Sequence, residues 1–218
     1  MKQQADGAVT DGRRLRGDKS RATILARAVN VASTDGLSGL TIGALASDVG
    51  ISKGNISVLF GDKETLQLAT IDAGTEVFVA KVVTPALRNA NPLDRLRHLT
   101  DGWFDYVDSR TFPGGCLLYA TVNEFRARPG RIQDRANHHR TAWIRLLTAT
   151  VRDAQKAGLI RGDVDPEQLV FELTAFQSAA NTAALLGDQA TFVRARRTSR
   201  ERITAAAVRG AVRRKRPE

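Results

Sequence analysis

Between Thr41 and Phe60 the chain reads TIGALASDVGISKGNISVLF, and the second half of this stretch gathers side chains suited to contact a polyanion. With Ser52 as a helix cap, Ile56 and Leu59 or Phe60 turn inward at helical spacing, which leaves Lys53, Gly54, Asn55, Ser57 and Val58 pointing outward. An ammonium group meets phosphate, and an amide pairs with the donor and acceptor of a base edge. An aliphatic group packs on a thymine methyl, and glycine permits close approach. The preceding segment supplies a partner helix: Thr41 caps it, Ile42, Leu45 and Ala46 give it an apolar stripe, and Gly50 breaks it. Lys63, just past the second helix, is a further candidate for phosphate contact. Two short helices joined by a glycine turn also occur in ordinary helical bundles, so the pattern alone leaves simple packing open.

A second set of residues is larger and more apolar. Trp103, Tyr106, Cys116, Tyr119, Asn123 and Trp143, with Phe176 opposite, combine aromatic bulk with a few polar tips, the mixture that lines a small-molecule pocket. Each taken singly is equally suited to a core. A third set, Cys116 with Glu124, Asn137, His138 and His139, has the residue types of a nucleophile with a base or of a metal site. Its spacing fits neither. Adjacent histidines on a helix point about 100° apart, and a lone cysteine is usually a small hydrophobe. No phosphate-cradling or dinucleotide motif is present, so neither catalysis, metal nor cofactor is expected.

These side chains need helices to position them, and the chain is punctuated accordingly. Arg21 to Gly36 has an amphipathic pattern through Ile24, Ala28, Val31 and Ala32, and Gly61-Asp62-Lys63-Glu64 opens a fourth helix. Beyond it, helices are expected at about 63–88, 92–111, 115–128, 130–158, 166–187 and 188–209, with Pro85 as a possible interruption and no strand alternation. The helix starting at Pro166 carries small residues, Ala175, Ser178, Ala179, Thr182 and Ala183, that let another helix approach closely. That is the surface of a two-fold contact or of ordinary internal packing.

The formal net charge of +10 is unevenly placed. Residues 191–218 hold ten Lys or Arg against two Glu, whereas residues 1–60 hold eight against five Asp. The nucleic-acid reading therefore rests on the motif, helped by the cluster Arg13, Arg14, Arg16, Lys19 and Arg21, expected to be a flexible basic arm over residues 1–18. The basic C-terminus reads as a solvated last helix, an extra DNA contact or an attachment to an anionic surface, with disorder from about residue 210. One cysteine excludes an internal disulfide framework, and no run of about 18 apolar residues or signal-peptide pattern is seen. A cytoplasmic protein without membrane contact is expected.

Residues 20–70, and in particular the G-I-S-K-G entry and F-G-D-K-E exit of the second short helix, resemble the N-terminal domain of the tetracycline-repressor (TetR) family of transcription regulators. FPGGCLLYATVNEFRARPGRIQDR and VDPEQLVFELTA resemble the effector and dimerisation domain of the same family. One departure is clear: many members carry aromatics where Ser57 stands and near Val58 and Leu59. The resemblance implies an all-α fold with a helix-turn-helix domain at 19–65 and a helical effector-binding and dimerisation domain at 66–209. It also implies a homodimer that binds a palindromic operator in double-stranded DNA, read as a repressor released by a small, mostly apolar effector. The alternative is a DNA-binding regulator without small-molecule input, controlled by a protein partner or by abundance.

Overall fold

The computed structural model describes the backbone of residues 5–209 and the side chains of residues 17–209. The tail expected to be disordered at 210–218 and the first four residues of the expected arm lie outside the described residues.

Local capping rules account for the first four helices. Helix α1 (Ala5–Gly39) begins well before the expected start at Arg21, so the arm is helical from Ala5 onward. Ala, Leu and Arg in that segment favour helix strongly enough to outweigh its interspersed glycines. At Gly36 the backbone turns to φ 74, ψ 167, so the regular helix stops where Asp35-Gly36 predicts and a short turn to Gly39 follows. In α2 (Ile42–Val49) the Thr41 hydroxyl accepts from the Ala44 N–H at 3.1 Å, and Gly50, at φ 69, closes the helix in the left-handed conformation. Ser52 caps α3 (Lys53–Phe60) by accepting from the Asn55 N–H at 3.2 Å. Asp62 does the same for α4 (Lys63–Phe78) at Thr65, 2.7 Å away.

Helix α4 does not stop at Phe78. It widens into a π turn, Val79–Val83, and continues as α5 (Thr84–Leu87). Pro85 has no N–H to donate and its ring crowds the carbonyl four residues back. The wider turn, in which the Thr84 N–H reaches back to the Val79 carbonyl, carries the chain to Pro85 without a break. Five helices complete the body: α6 (Pro92–Asp108), α7 (Leu117–Phe125), α8 (Arg131–Lys156), α9 (Pro166–Leu186) and α10 (Gln189–Ala206). After α10 the chain pairs with the α8–α9 loop, the Val208 N–H meeting the Leu159 carbonyl at 2.9 Å.

Burial sorts the side chains into two cores. Ile24, Ala28, Leu45, Ile56, Phe60 and Leu66 form the centre of a small head. A much larger cluster, with Leu96, Trp103, Leu147, Leu173 and Phe192 among its members, fills the body. Helices α1 and α4 belong to both, because Ile24 and Leu66 face the head whereas Ala32 and Ile71 face the body. Among the described residues no helix is long and apolar enough to cross a membrane.

Candidate nucleic-acid interface and body cavity

The head presents one face of α3 to solvent. Ile56 and Phe60 are buried, Leu59 is half-buried, and Lys53, Gly54, Asn55, Ser57 and Val58 are exposed, as the helical spacing predicts. Val58 is 86% exposed, more than any other large hydrophobic residue described. Thr41 and Ser52 are exposed too, their hydroxyls engaged by the caps. The Lys53 side chain folds back over Gly43: a Cβ at Gly43 would sit 3.1 Å from its Cε. Two cations of the sequence argument have internal partners. Arg21 donates to the Leu59 carbonyl at 3.0 Å and lies over the Phe60 ring, and Lys63 donates to the Ser38 carbonyl at 2.8 Å.

The turn at residues 36–39 is where the body grips the head. Glu124, on α7, accepts from the Leu37 and Ser38 N–H groups, both at 2.8 Å, and so caps the turn after Gly36. Gln67 donates to the Leu37 carbonyl at 2.6 Å, and Arg128 to the Ser38 hydroxyl at 3.2 Å. The glycines before α7 are explained by the same contact. A Cβ on Gly114 would lie 1.7 Å from the Ser33 carbonyl oxygen, and the Gly114 N–H donates to the Ser33 hydroxyl at 3.0 Å. Gly115, at φ 77, presses on Asn181, whose side-chain oxygen accepts from the Cys116 N–H at 2.9 Å.

The other end of α7 opens onto a cavity of about 220 Å³ in the body. Trp103, Tyr106, Cys116, Tyr119 and Trp143 all line it, so five of the seven expected effector residues converge. Asn123 does not; it faces a neighbouring groove with Arg140 and Phe171. Phe176 packs half-buried against the body core and lines neither space. Sequence reasoning missed the wall supplied by α4 and its π turn, Gly74, Thr75, Phe78, Val79 and Val83, together with His139 from α8. Phe78 meets Tyr106 and Trp143 edge to face at 5.4 and 5.1 Å, and Trp103 meets Tyr119 likewise at 5.7 Å. Burial raises the Tyr106 and Tyr119 phenols and the Cys116 thiol above their ordinary values, so all three are protonated donors at neutral pH.

The residue types of a nucleophilic or metal site are dispersed. Glu124 is engaged at the turn, His139 bonds to Asp72 at 3.0 Å, and Asn137 and His138 are exposed. The small residues of α9 divide. Ala175, Ser178, Ala179 and Thr182 are exposed, whereas Ala183 points into its own chain's core and is removed from any contact surface. Phe171 and Leu186, at 67% and 79% exposure, extend the exposed stripe and were not singled out from sequence. The basic residues of α10 are partly neutralised within the chain, Arg196 and Arg200 by Asp101 and Arg196 also by Asp105.

This two-part arrangement has well-defined relatives. The family described as bacterial regulatory proteins, tetR family, matches residues 24–70, and the Tetracyclin repressor-like C-terminal domain matches residues 92–199. A TetR transcriptional regulator from Chloroflexus aurantiacus is 22% identical with a TM-score of 0.81, over 88% of this chain and 98% of its own. A regulator from Saccharomonospora viridis, solved in complex with choline, is 22% identical with a TM-score of 0.69, over 88% of this chain and 98% of its own. AibR, solved with isovaleryl coenzyme A and operator DNA, is 21% identical with a TM-score of 0.62, over 74% of this chain and 86% of its own. At such identities the likeness is one of fold. A search of curated proteins returns no match. Two family domains in sequence, on a helical head and body of the matching fold, place this chain in the TetR family of DNA-binding transcription regulators.

Proposed function

We propose that this regulator is a homodimeric repressor that binds a palindromic operator through α3 and is released when a small, mostly apolar effector enters the body cavity. The observation that carries the reading is α7. Its first turns, Cys116 to Tyr119, line the cavity, and Glu124 near its other end caps the turn between α1 and α2. Filling the cavity displaces α7, which holds the head through Glu124, and the wall of α4, whose first turn packs into the head through Leu66. Choline and isovaleryl coenzyme A in the two relatives support a ligand-responsive body. A regulator without small-molecule input has no use for an open chamber between Trp103 and Trp143, so the cavity favours the first reading.

Phe171, Ala175, Ser178, Thr182 and Leu186 form an exposed stripe on α9 and support a two-fold contact there. One recognition helix reads few base pairs; two related by symmetry read a palindrome. Selection of bound sequences from a random DNA library tests the dimer and operator part of the proposal. Two inverted half-sites about one helical turn apart are the expected product. Single, non-repeated sites together with a monomer by light scattering contradict it, and Ser178→Arg is expected to abolish both dimer and palindrome preference.

A further inference from the structure

Most polar groups facing the cavity are already engaged. The Thr75 hydroxyl donates to the Ile71 carbonyl at 2.9 Å, Tyr119 to the Thr174 carbonyl at 3.1 Å, and the Trp143 indole to the Gln177 side-chain oxygen at 3.2 Å. His139 is held by Asp72, and the Trp103 indole approaches the Cys116 sulfur. The Tyr106 hydroxyl is different. The residue is 96% buried, its phenol lines the cavity, and no protein group among the described residues accepts its proton. Its oxygen is not among the fully buried unpartnered side-chain atoms of the described residues, which belong to Thr100, Thr121 and Gln177, so it stays accessible from the cavity and free to donate to an acceptor arriving there.

Charge and size narrow the class. No Lys, Arg, Asp or Glu lines the cavity. An anion would find no Lys or Arg, only His139 already held by Asp72, and a quaternary ammonium would find no lining carboxylate. A dry apolar cavity of about 150 Å³ holds benzene. The space here, about 220 Å³, matches a single ring with a short substituent. Resting on the ligand-responsive reading above, we propose that the cavity binds a neutral, single-ring aromatic molecule bearing one hydrogen-bond acceptor, which takes the Tyr106 hydroxyl proton. Rings suit the site because edge-to-face contacts with Phe78, Trp103 and Trp143 reward them.

The chain has two tryptophans, Trp103 and Trp143, and both line the cavity, so intrinsic fluorescence reads its occupancy directly. Acetophenone serves as the probe, with ethylbenzene as a match of similar size lacking the acceptor, and benzoate and choline as charged controls. Acetophenone is expected to bind roughly 3- to 10-fold more tightly than ethylbenzene. Tyr106→Phe is expected to erase that difference and leave ethylbenzene unchanged, whereas Tyr119→Phe, whose hydroxyl is already bonded to Thr174, preserves it. Benzoate or choline binding as tightly as acetophenone overturns the inference, as does no response to either neutral probe or equal affinity for the two in the wild type. The last comparison needs no variant to fold. Acetophenone binding that leaves operator affinity unchanged would sink the effector-release reading while the ligand class stands.

Discussion

The head and the body use the same element, the α-helix, in opposite ways. In the head, eight buried residues suffice because the starts of α2, α3 and α4 are fixed locally: Thr41, Ser52 and Asp62 cap within three residues, and Gly50 turns at φ 69. In the body the cavity exists only where α4, α6, α7 and α8 converge, and its capping side chains say nothing of its shape. A local design displays an exposed face with great economy, and a non-local one encloses space. The chain joins them through a turn, residues 36–39, that neither region stabilises alone.

The strongest way to break this comparison is to hollow out the smaller core. Ile56→Ala removes a fully buried side chain and is expected to cost about 2–5 kcal/mol. With so small a cluster the head should unfold first and DNA binding should vanish. Trp103 and Trp143 both lie in the body, so their fluorescence transition should stay near that of the wild type. A fluorescence midpoint that falls together with the loss of far-ultraviolet helix signal shows one cooperative unit instead of two.

The joint comes next. Glu124→Ala strips two charge-assisted hydrogen bonds from Leu37 and Ser38 and is expected to cost about 2–3 kcal/mol. Calorimetry should then resolve a separate head transition that the wild type lacks. Gln at the same position offers one acceptor where two N–H groups need one each, so about half the loss is expected. An unchanged single transition in both variants removes Glu124 from the coupling.

These effects also explain what could be read from sequence. Caps, glycine turns and 3.6-residue spacing are properties of a few neighbouring residues, so the head, its outward face and most helix limits were legible. Gly114 and Glu124 belonged to a recognisable pattern, FPGGC…EF, yet their work is done against Ser33 and Leu37, more than eighty positions earlier, and no local rule reports that. The same holds for Phe78, Val79 and Val83. Their apolar character suited a plain linking helix, and nothing local told which of its faces would meet α6, α7 and α8 around the cavity. Ala183 failed for the converse reason: small residues mark close approach without saying whether the neighbour is the same chain.

On the exposed face of α3 the expected losses are of similar or smaller size and differ in kind. Asn55→Ala should cost about 1–3 kcal/mol on the selected operator and little on random DNA. Lys53→Ala should weaken both alike and lower the slope of log K against log salt by about one. Equal losses on both DNAs for the two variants would show that base reading lies elsewhere on the face, with Ser57 and Val58 the next to test.

The smallest effect probes α4, the helix that both regions share. Burial alone would raise the Asp72 carboxyl, but hydrogen bonds from His139 and Arg135, with the charge of Arg135, outweigh it and hold the group below its ordinary 3.8. A depressed folded value means that the stabilisation is fully present above 3.8 and is lost as pH falls through the lower folded value. The pair is more than a third exposed at Asp72, so solvent screening keeps the contribution under about 1 kcal/mol. The stability gap between the wild type and Asp72→Asn should accordingly be flat from neutral pH to about pH 5 and close below about pH 4. A gap that persists to about pH 2 would assign the tie between α4 and α8 to packing, and α4 would then be fixed beside the cavity by shape alone.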